Sequence, residues 1–210
     1  MTIITRREFV KEMAPRKYDM TRRASAVAQT RRRIIDATRA LHTEQGIAAT
    51  SWDDIAVRAG VGVGTVYRHF PSLDELIPAC GEVSMQILAL PDPQDVPSLF
   101  DGAEAPPERI ARLVREAFAI YERGAPEVRV MRNEPGLHPH VAEAGEELEA
   151  ALTALVDAAF EPSGIAPADR AVVRAMVDLG TWEALRAQGL GPAETVDAVS
   201  GMLAARVGAS

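Results

Sequence analysis

The stretch "TSWDDIAVRAGVGVGTVYRHFPS", Thr50 to Ser72, leaves little freedom in how it can fold. Ser51 followed by Asp54 three residues later fits a capping box, in which each side chain satisfies a backbone N–H that the helix start would leave open. Asp53 and Asp54 fall in the first turn, where the helix dipole favours negative charge. Ile55, Ala56 and Ala59 supply one apolar face, and Gly60 is the residue that tolerates the left-handed backbone of a helix end. A second, short helix fits Val63 to Phe70, with Pro71 to stop it. Capped helix, glycine turn, short helix is the grammar of a helix-turn-helix, with Ala56 and Val61 packed in the angle.

The glycines of this stretch also invite a phosphate-loop reading, which their spacing rejects. Gly60, Gly62 and Gly64 form G-x-G-x-G rather than G-x-G-x-x-G, and the segment before them is a helix, not a strand. Gly64-Thr65 lacks the lysine of a P-loop. The turn reading instead leaves an outward face carrying Val63, Gly64, Thr65 and Arg68, with Tyr67 and His69 beside them. Arginine suits a guanine edge or a phosphate, threonine a phosphate or a thymine methyl, and tyrosine and histidine donate to phosphate oxygens. Gly64 permits close approach of backbone to backbone. That mixture fits a helix set against the major groove of double-stranded DNA.

Charge divides along the chain in the same sense. Residues 1–70 hold 13 Lys and Arg against 7 Asp and Glu, whereas residues 71–210 hold 10 against 23. A basic front half on a chain of net charge −7 points to a polyanion partner for that half alone. Residues 1–24, polar and basic without sustained period, read as a flexible arm. Arg22 and Arg23 sit just ahead of the first helix, where an arm could enter a minor groove.

Helical periodicity dominates the remainder, which makes the fold class all-α. A helix from about Ser25 runs to Gly46. Ser72 opens another that continues towards Leu90, with Pro78 expected to kink or shorten it. Residues 90–107, rich in proline, read as loop. Further helices fit Glu108–Arg123, Pro126–Glu134, His140–Phe160, Ala168–Gln188 and Pro192–Val207. On the last two, Val172, Met176 and Leu179, and then Val196, Val199 and Leu203, recur at helical spacing among alanines. They serve either an internal core or half of a four-helix homodimer interface, and the pattern does not separate the two.

Other chemistries find little support. The single cysteine, Cys80, cannot make an intrachain disulfide or a cysteine cluster. His138 and His140 flank a proline without an acidic or cysteine partner at fixed spacing, so no metal is expected. No nucleophilic triad, paired catalytic carboxylates or cofactor loop emerges, which argues against an enzyme and against a bound cofactor. No apolar run approaches the roughly 18 residues of a membrane span, and the N-terminus lacks a signal peptide's apolar stretch, so a cytoplasmic protein is expected.

Trp52 to Leu76, "WDDIAVRAGVGVGTVYRHFPSLDEL", resembles the DNA-binding signature of the TetR family of bacterial transcriptional regulators. Asp54-Ile55-Ala56, Ala59-Gly60-Val61, Gly64-Thr65, Tyr67, His69-Phe70 and Leu76 carry the likeness, which covers roughly Thr30–Cys80. The resemblance implies a three-helix DNA-binding domain at 25–75 and a helical effector-binding and dimerisation domain at 76–210. It implies a homodimer on a palindromic operator, responsive to a small-molecule effector and most often a repressor. Thr50 and Ser51 resemble the residues that anchor the second helix at phosphate. Thr65, Tyr67 and His69 resemble phosphate contacts, and Arg68 is the candidate for a base edge. Met85, Leu88, Phe100, Phe118, Tyr121, Met131, His138, His140 and Trp182 are candidate walls of the effector cavity.

Two departures from the pattern bear on function. The family usually has serine where Gly62 stands, capping the recognition helix, and lysine where Leu73 stands, reaching a phosphate. The basic arm, Arg16, Lys17, Arg22 and Arg23, with Arg31, Arg32 and Arg33, is expected to compensate. The rival expectation is a small-molecule-binding protein whose head no longer reads DNA specifically.

Overall fold

The structure, a computed structural model, describes residues 20–161 and 164–207, and the side chains from residue 23 onwards. Residues 1–19 of the expected arm therefore lie outside the described residues. Among the described residues the chain is all-helical: α1 (Met20–Gln45), α2 (Trp52–Ala59), α3 (Val63–His69), α4 (Leu73–Leu88), α5 (Pro106–Asn133), α6 (Pro139–Phe160), α7 (Pro167–Met176), α8 (Leu179–Ala187) and α9 (Pro192–Val207).

Two apolar cores organise these helices. The first joins α1 to α3 with the start of α4, through Ile34, Leu41, Ile55, Val66, Phe70 and Leu76, all nearly inaccessible to water. The second fills the space between α5, α6 and α9, with Leu113, Ala117, Leu148, Leu155, Val199 and Leu203 at its centre. α4 belongs to both, because Leu76 and Cys80 enter the first core and Leu88 enters the second. A small third cluster, Ile47, Ile77 and Val141, ties the α1–α2 loop to α4 and α6.

Several expectations change on contact with the structure. α1 starts at Met20, so Arg22 and Arg23 stand inside a helix and not on an arm ahead of it. Pro78 lies within α4, which nevertheless runs unbroken to Leu88, its flanks Leu76, Ile77, Ala79 and Cys80 being buried. The expected helix Ala168–Gln188 is two helices. Asp178 accepts a hydrogen bond from the Gly180 N–H at 2.8 Å and starts α8 afresh, a side-chain cap that apolar periodicity does not register. The proline-rich loop holds a 3-10 turn, Val96–Phe100, whose end residues are buried.

The break expected between Arg123 and Pro126 is present as a kink in α5. Gly124 there has non-helical φ −155° and ψ 43°, two residues before Pro126, which has no N–H to give. A Cβ on Gly124 would stand 2.6 Å from Leu88 Cδ2, so the kink seats α5 directly on the end of α4.

Candidate nucleic-acid interface

The helix-turn-helix is built as its residues dictate. Ser51 Oγ accepts from the Asp54 N–H at 3.1 Å, and the Ser51 N–H donates to Asp54 Oδ2 at 3.2 Å, completing the capping box. The Ser51 hydroxyl also donates to Asp54 Oδ2 at 2.6 Å, and this holds the carboxyl below its usual range. Thr50 donates its hydroxyl to the Gly46 carbonyl at 2.7 Å. Gly60 ends α2 in the left-handed region, φ 64° and ψ 43°, and the Val61 N–H returns to the Ala56 carbonyl at 3.0 Å.

The turn delivers α3 with one side buried and one open. Val66 and Phe70 enter the core, while Val63, Gly64, Tyr67 and Arg68 are exposed and Thr65 and His69 half-buried. Tyr67 is 46% exposed, yet its ring lies against Trp52, with centroids 4.8 Å apart and planes at 32°. It is half anchored, its orientation set by the first residue of α2. A Cβ on Gly62 or on Gly64 would meet nothing within 4 Å, so the chain's own packing does not demand glycine at either position. Gly62 occupies the cap position of α3 and offers no side-chain bond there. Leu73, first residue of α4, is 46% exposed.

The arginine run of α1 does not act as one basic patch. Arg31 stacks its guanidinium 4.7 Å from the centroid of Phe70. Arg32 pairs with Asp36 one turn along the same helix. Arg33 reaches the end of α2, where its Nε donates to the Ala59 carbonyl at 3.1 Å and its Nη2 to that of Gly60 at 2.9 Å. Arg33 is thus a brace for the turn, a role the triplet of charges concealed. A second brace joins α1 to α2, with Arg58 bonded through both nitrogens to Glu44 at 2.8 and 2.6 Å. Arg23 is exposed on α1.

In the body, Met131 and His140 share one cavity, but the candidate cavity residues do not converge as a set. Leu88, Phe100, Phe118, Tyr121 and Met131 are buried in the core. Tyr121 donates its hydroxyl to the Val177 carbonyl at 3.1 Å, and burial pushes its pKa up. The Phe118, Tyr121 and Trp182 rings follow one another at about 6 Å, with centroids 6.2 and 6.1 Å apart. Trp182 donates to Glu122 at 3.0 Å. Met85, Phe118 and Met131 line three separate cavities. His138 lies 3.1 Å from Asp74 and accepts from the His140 N–H at 3.2 Å. Among the described residues no cluster of His, Cys, Asp and Glu could hold a metal ion.

The candidate dimer residues divide similarly. Leu179, Val199 and Leu203 are buried within this chain, where α8 and α9 both pack on α5, and so present no surface. Met176 and Val196 are partly buried against the same core. Val172 remains 37% exposed, and Met202, which periodicity did not single out, is 50% exposed.

A capped helix, a left-handed glycine turn and a short helix with an open polar face define a helix-turn-helix protein. Residues 34–80 match the family described as bacterial regulatory proteins, tetR family. Its head is 44% identical over 54 residues to the transcriptional repressor KstR of Rhodococcus jostii, a match covering 26% of this chain and 26% of that protein. The chain thus spans about a quarter of the length of the curated relatives it matches.

The likeness in fold extends further. The transcriptional regulator FadR of Bacillus subtilis, solved in complex with stearoyl-CoA, superposes with a TM-score of 0.55 at 18% identity, over 82% of this chain and 96% of that one. A tetR-family regulator of Streptomyces coelicolor gives 0.52 at 20% identity, over 85% and 80%. Among the described residues no helix is long and apolar enough to cross a membrane.

Proposed function

We propose that this chain is a ligand-responsive transcriptional regulator, a repressor in the cytoplasm that binds a palindromic operator as a homodimer. Residues 25–75 make up the DNA-binding head and residues 76–210 the body that dimerises and holds the effector. The observation that carries this reading is the open side of α3, where Thr65, Tyr67 and Arg68 stand on a rigidly braced turn. Arg68 reads a base edge, Val63 meets a thymine methyl, and Thr50, Ser51, Thr65, Tyr67 and His69 contact phosphates. Gly64, which its own neighbours do not require, lets the DNA backbone come close.

Two such heads related by a two-fold axis would enter successive major grooves, about 34–36 Å apart. The effector acts by favouring one separation of the heads, and it shifts the equilibrium only by its differential affinity for the two states. That FadR of the same fold was solved with stearoyl-CoA supports a body able to hold a small molecule. Selection of bound sequences from a random DNA pool tests the proposal. Recovery of an inverted repeat with half-sites one helical turn apart supports it, and featureless recovery refutes it.

A second reading has its own observation. Gly62 gives α3 no side-chain cap and Leu73 puts an exposed apolar residue at the start of α4. Both would weaken a head, and a small-molecule-binding protein with a non-specific head would return the featureless pool.

A further inference from the structure

Head and body meet around a small cavity that the operator-binding face does not use. Its walls come from α1, α4, α5 and α6, and its volume is about 50 Å³. That is room for roughly three to five waters at about 10–15 Å³ each, or for one compact molecule of similar bulk.

His42 of α1 lines this space and is only 8% exposed. Burial lowers its pKa to about 4 against an opposing pull from Glu134, so the ring is neutral near pH 7. A neutral imidazole offers one donor and one acceptor to a guest in the cavity.

The charges of the wall cancel. Arg39 pairs with Glu127, both side chains largely shielded, and its Nε donates to Ser84 Oγ at 3.2 Å. A charged guest would have to break that pair, and an uncharged one would not. Apart from Thr43 and His140, the rest of the lining is apolar, with Ile77, Val130 and Val141 among it. Gly81 also faces the space from inside α4, and a Cβ there would meet nothing within 4 Å. A glycine weakens a helix interior, and packing does not explain this one.

We propose that the junction of α1, α4, α5 and α6 is a binding site for a small uncharged amphiphile, an amide or alcohol on a short alkyl chain. Its polar head meets the His42 ring and its chain lies against Ile77, Val130 and Val141. Because the walls belong to both head and body, occupancy changes how they pack. That consequence for DNA rests on the regulatory reading above, whereas the binding itself does not.

The test is calorimetric titration of the full chain with a series of n-alkyl amides from acetamide to octanamide. The short members bind, and affinity falls at least tenfold once the chain outgrows the cavity. Gly81→Leu, whose side chain enters open space, keeps the melting temperature and loses binding at least tenfold. If that variant melts early, His42→Leu serves instead, removing the polar partner and weakening the amides about tenfold. Absence of binding across the series, or binding untouched in these variants, overturns the proposal. Operator affinity in the same samples judges the regulatory reading separately. Amide binding without a change there would support the site and count against that reading.

Discussion

The guanidinium of Arg33 grips the turn of the helix-turn-helix: its Nη2 lies 2.9 Å from the carbonyl oxygen of Gly60, 27 residues further along the chain. Nε and Nη2 both also reach the Ala59 carbonyl. These carbonyls end α2, where no further turn exists to bond them, so an arginine from another helix supplies the donors. Arg33→Ala should destabilise the head by about 1.5–3 kcal/mol, the range for hydrogen bonds that involve a charged group. Urea unfolding measures this directly. Arg33→Lys, a point charge without the planar fork, should recover only part of the loss. Full recovery would show that charge alone matters at this position.

Arg68 makes the complementary prediction for DNA. It is exposed on α3, whereas Arg31, Arg32 and Arg33 are engaged by Phe70, Asp36 and the α2 carbonyls. Arg68→Ala should cost roughly 1–3 kcal/mol of operator affinity and relax preference at one base pair per half-site. Binding titrations against single-position operator variants read both effects. An equal loss on every sequence would make Arg68 a phosphate contact.

The arginines also mark where sequence reasoning reached its limit. The capping box, the turn at Gly60 and the buried triad Ile55, Ala56 and Ala59 were legible because each depends on neighbours within four residues. The roles of Arg31 and Arg33 were not, since their partners Phe70 and Gly60 lie far along the chain and a charge run looks the same whether solvated or braced. The break at Val177–Asp178 escaped because apolar spacing continues through it and only the Asp178 cap interrupts the helix. In the body, Leu88, Phe118 and Tyr121 were candidate cavity walls although large apolar residues on helices are more often core, and the core is where they lie. Glu134, which accepts from the Ile47 and Ala48 N–H groups at 2.6 and 3.2 Å across the junction, left no local signal at all.

The two departures at the head can be tested by reversing them. Gly62 has extended backbone, φ −75° and ψ 147°, and open space around its Cβ position. Gly62→Ser should supply the missing cap and raise stability by a few tenths of a kcal/mol. Leu73→Lys places a cation at an exposed site at the start of α4 and should steepen the salt dependence of DNA binding by about one phosphate contact. An unchanged slope would mean that the start of α4 stands away from the backbone of the DNA.

The kink of α5 predicts an intolerant glycine. A methyl group on Gly124 would sit 2.6 Å from Leu88 Cδ2, and Leu88 is fully buried, so its side chain must repack within the core to make room. Gly124→Ala should therefore cost about 1–3 kcal/mol by overpacking, despite the better helix propensity of alanine. Thermal unfolding of the double variant Gly124→Ala/Leu88→Ala provides the check. If the clash is the cause, the second change costs less in the presence of the first than alone.

His42 sets a pH dependence for the whole fold. Burial lowers its pKa from 6.5 to about 4, so the unfolded chain binds a proton between those values that the folded one does not. Stability from this group is complete above pH 6.5, falls as pH drops towards 4 and changes no further below that. The shift corresponds to a loss on the order of 3 kcal/mol, with the Glu134 carboxylate nearby moderating the cost of protonation. Urea unfolding at a series of pH values between 7 and 4 should show this decline, superimposed on the acid-side losses of carboxylates such as Asp54. His42→Gln removes the titration and keeps a polar side chain, so it should flatten the curve above pH 5. An equally steep decline in that variant would place the cause elsewhere.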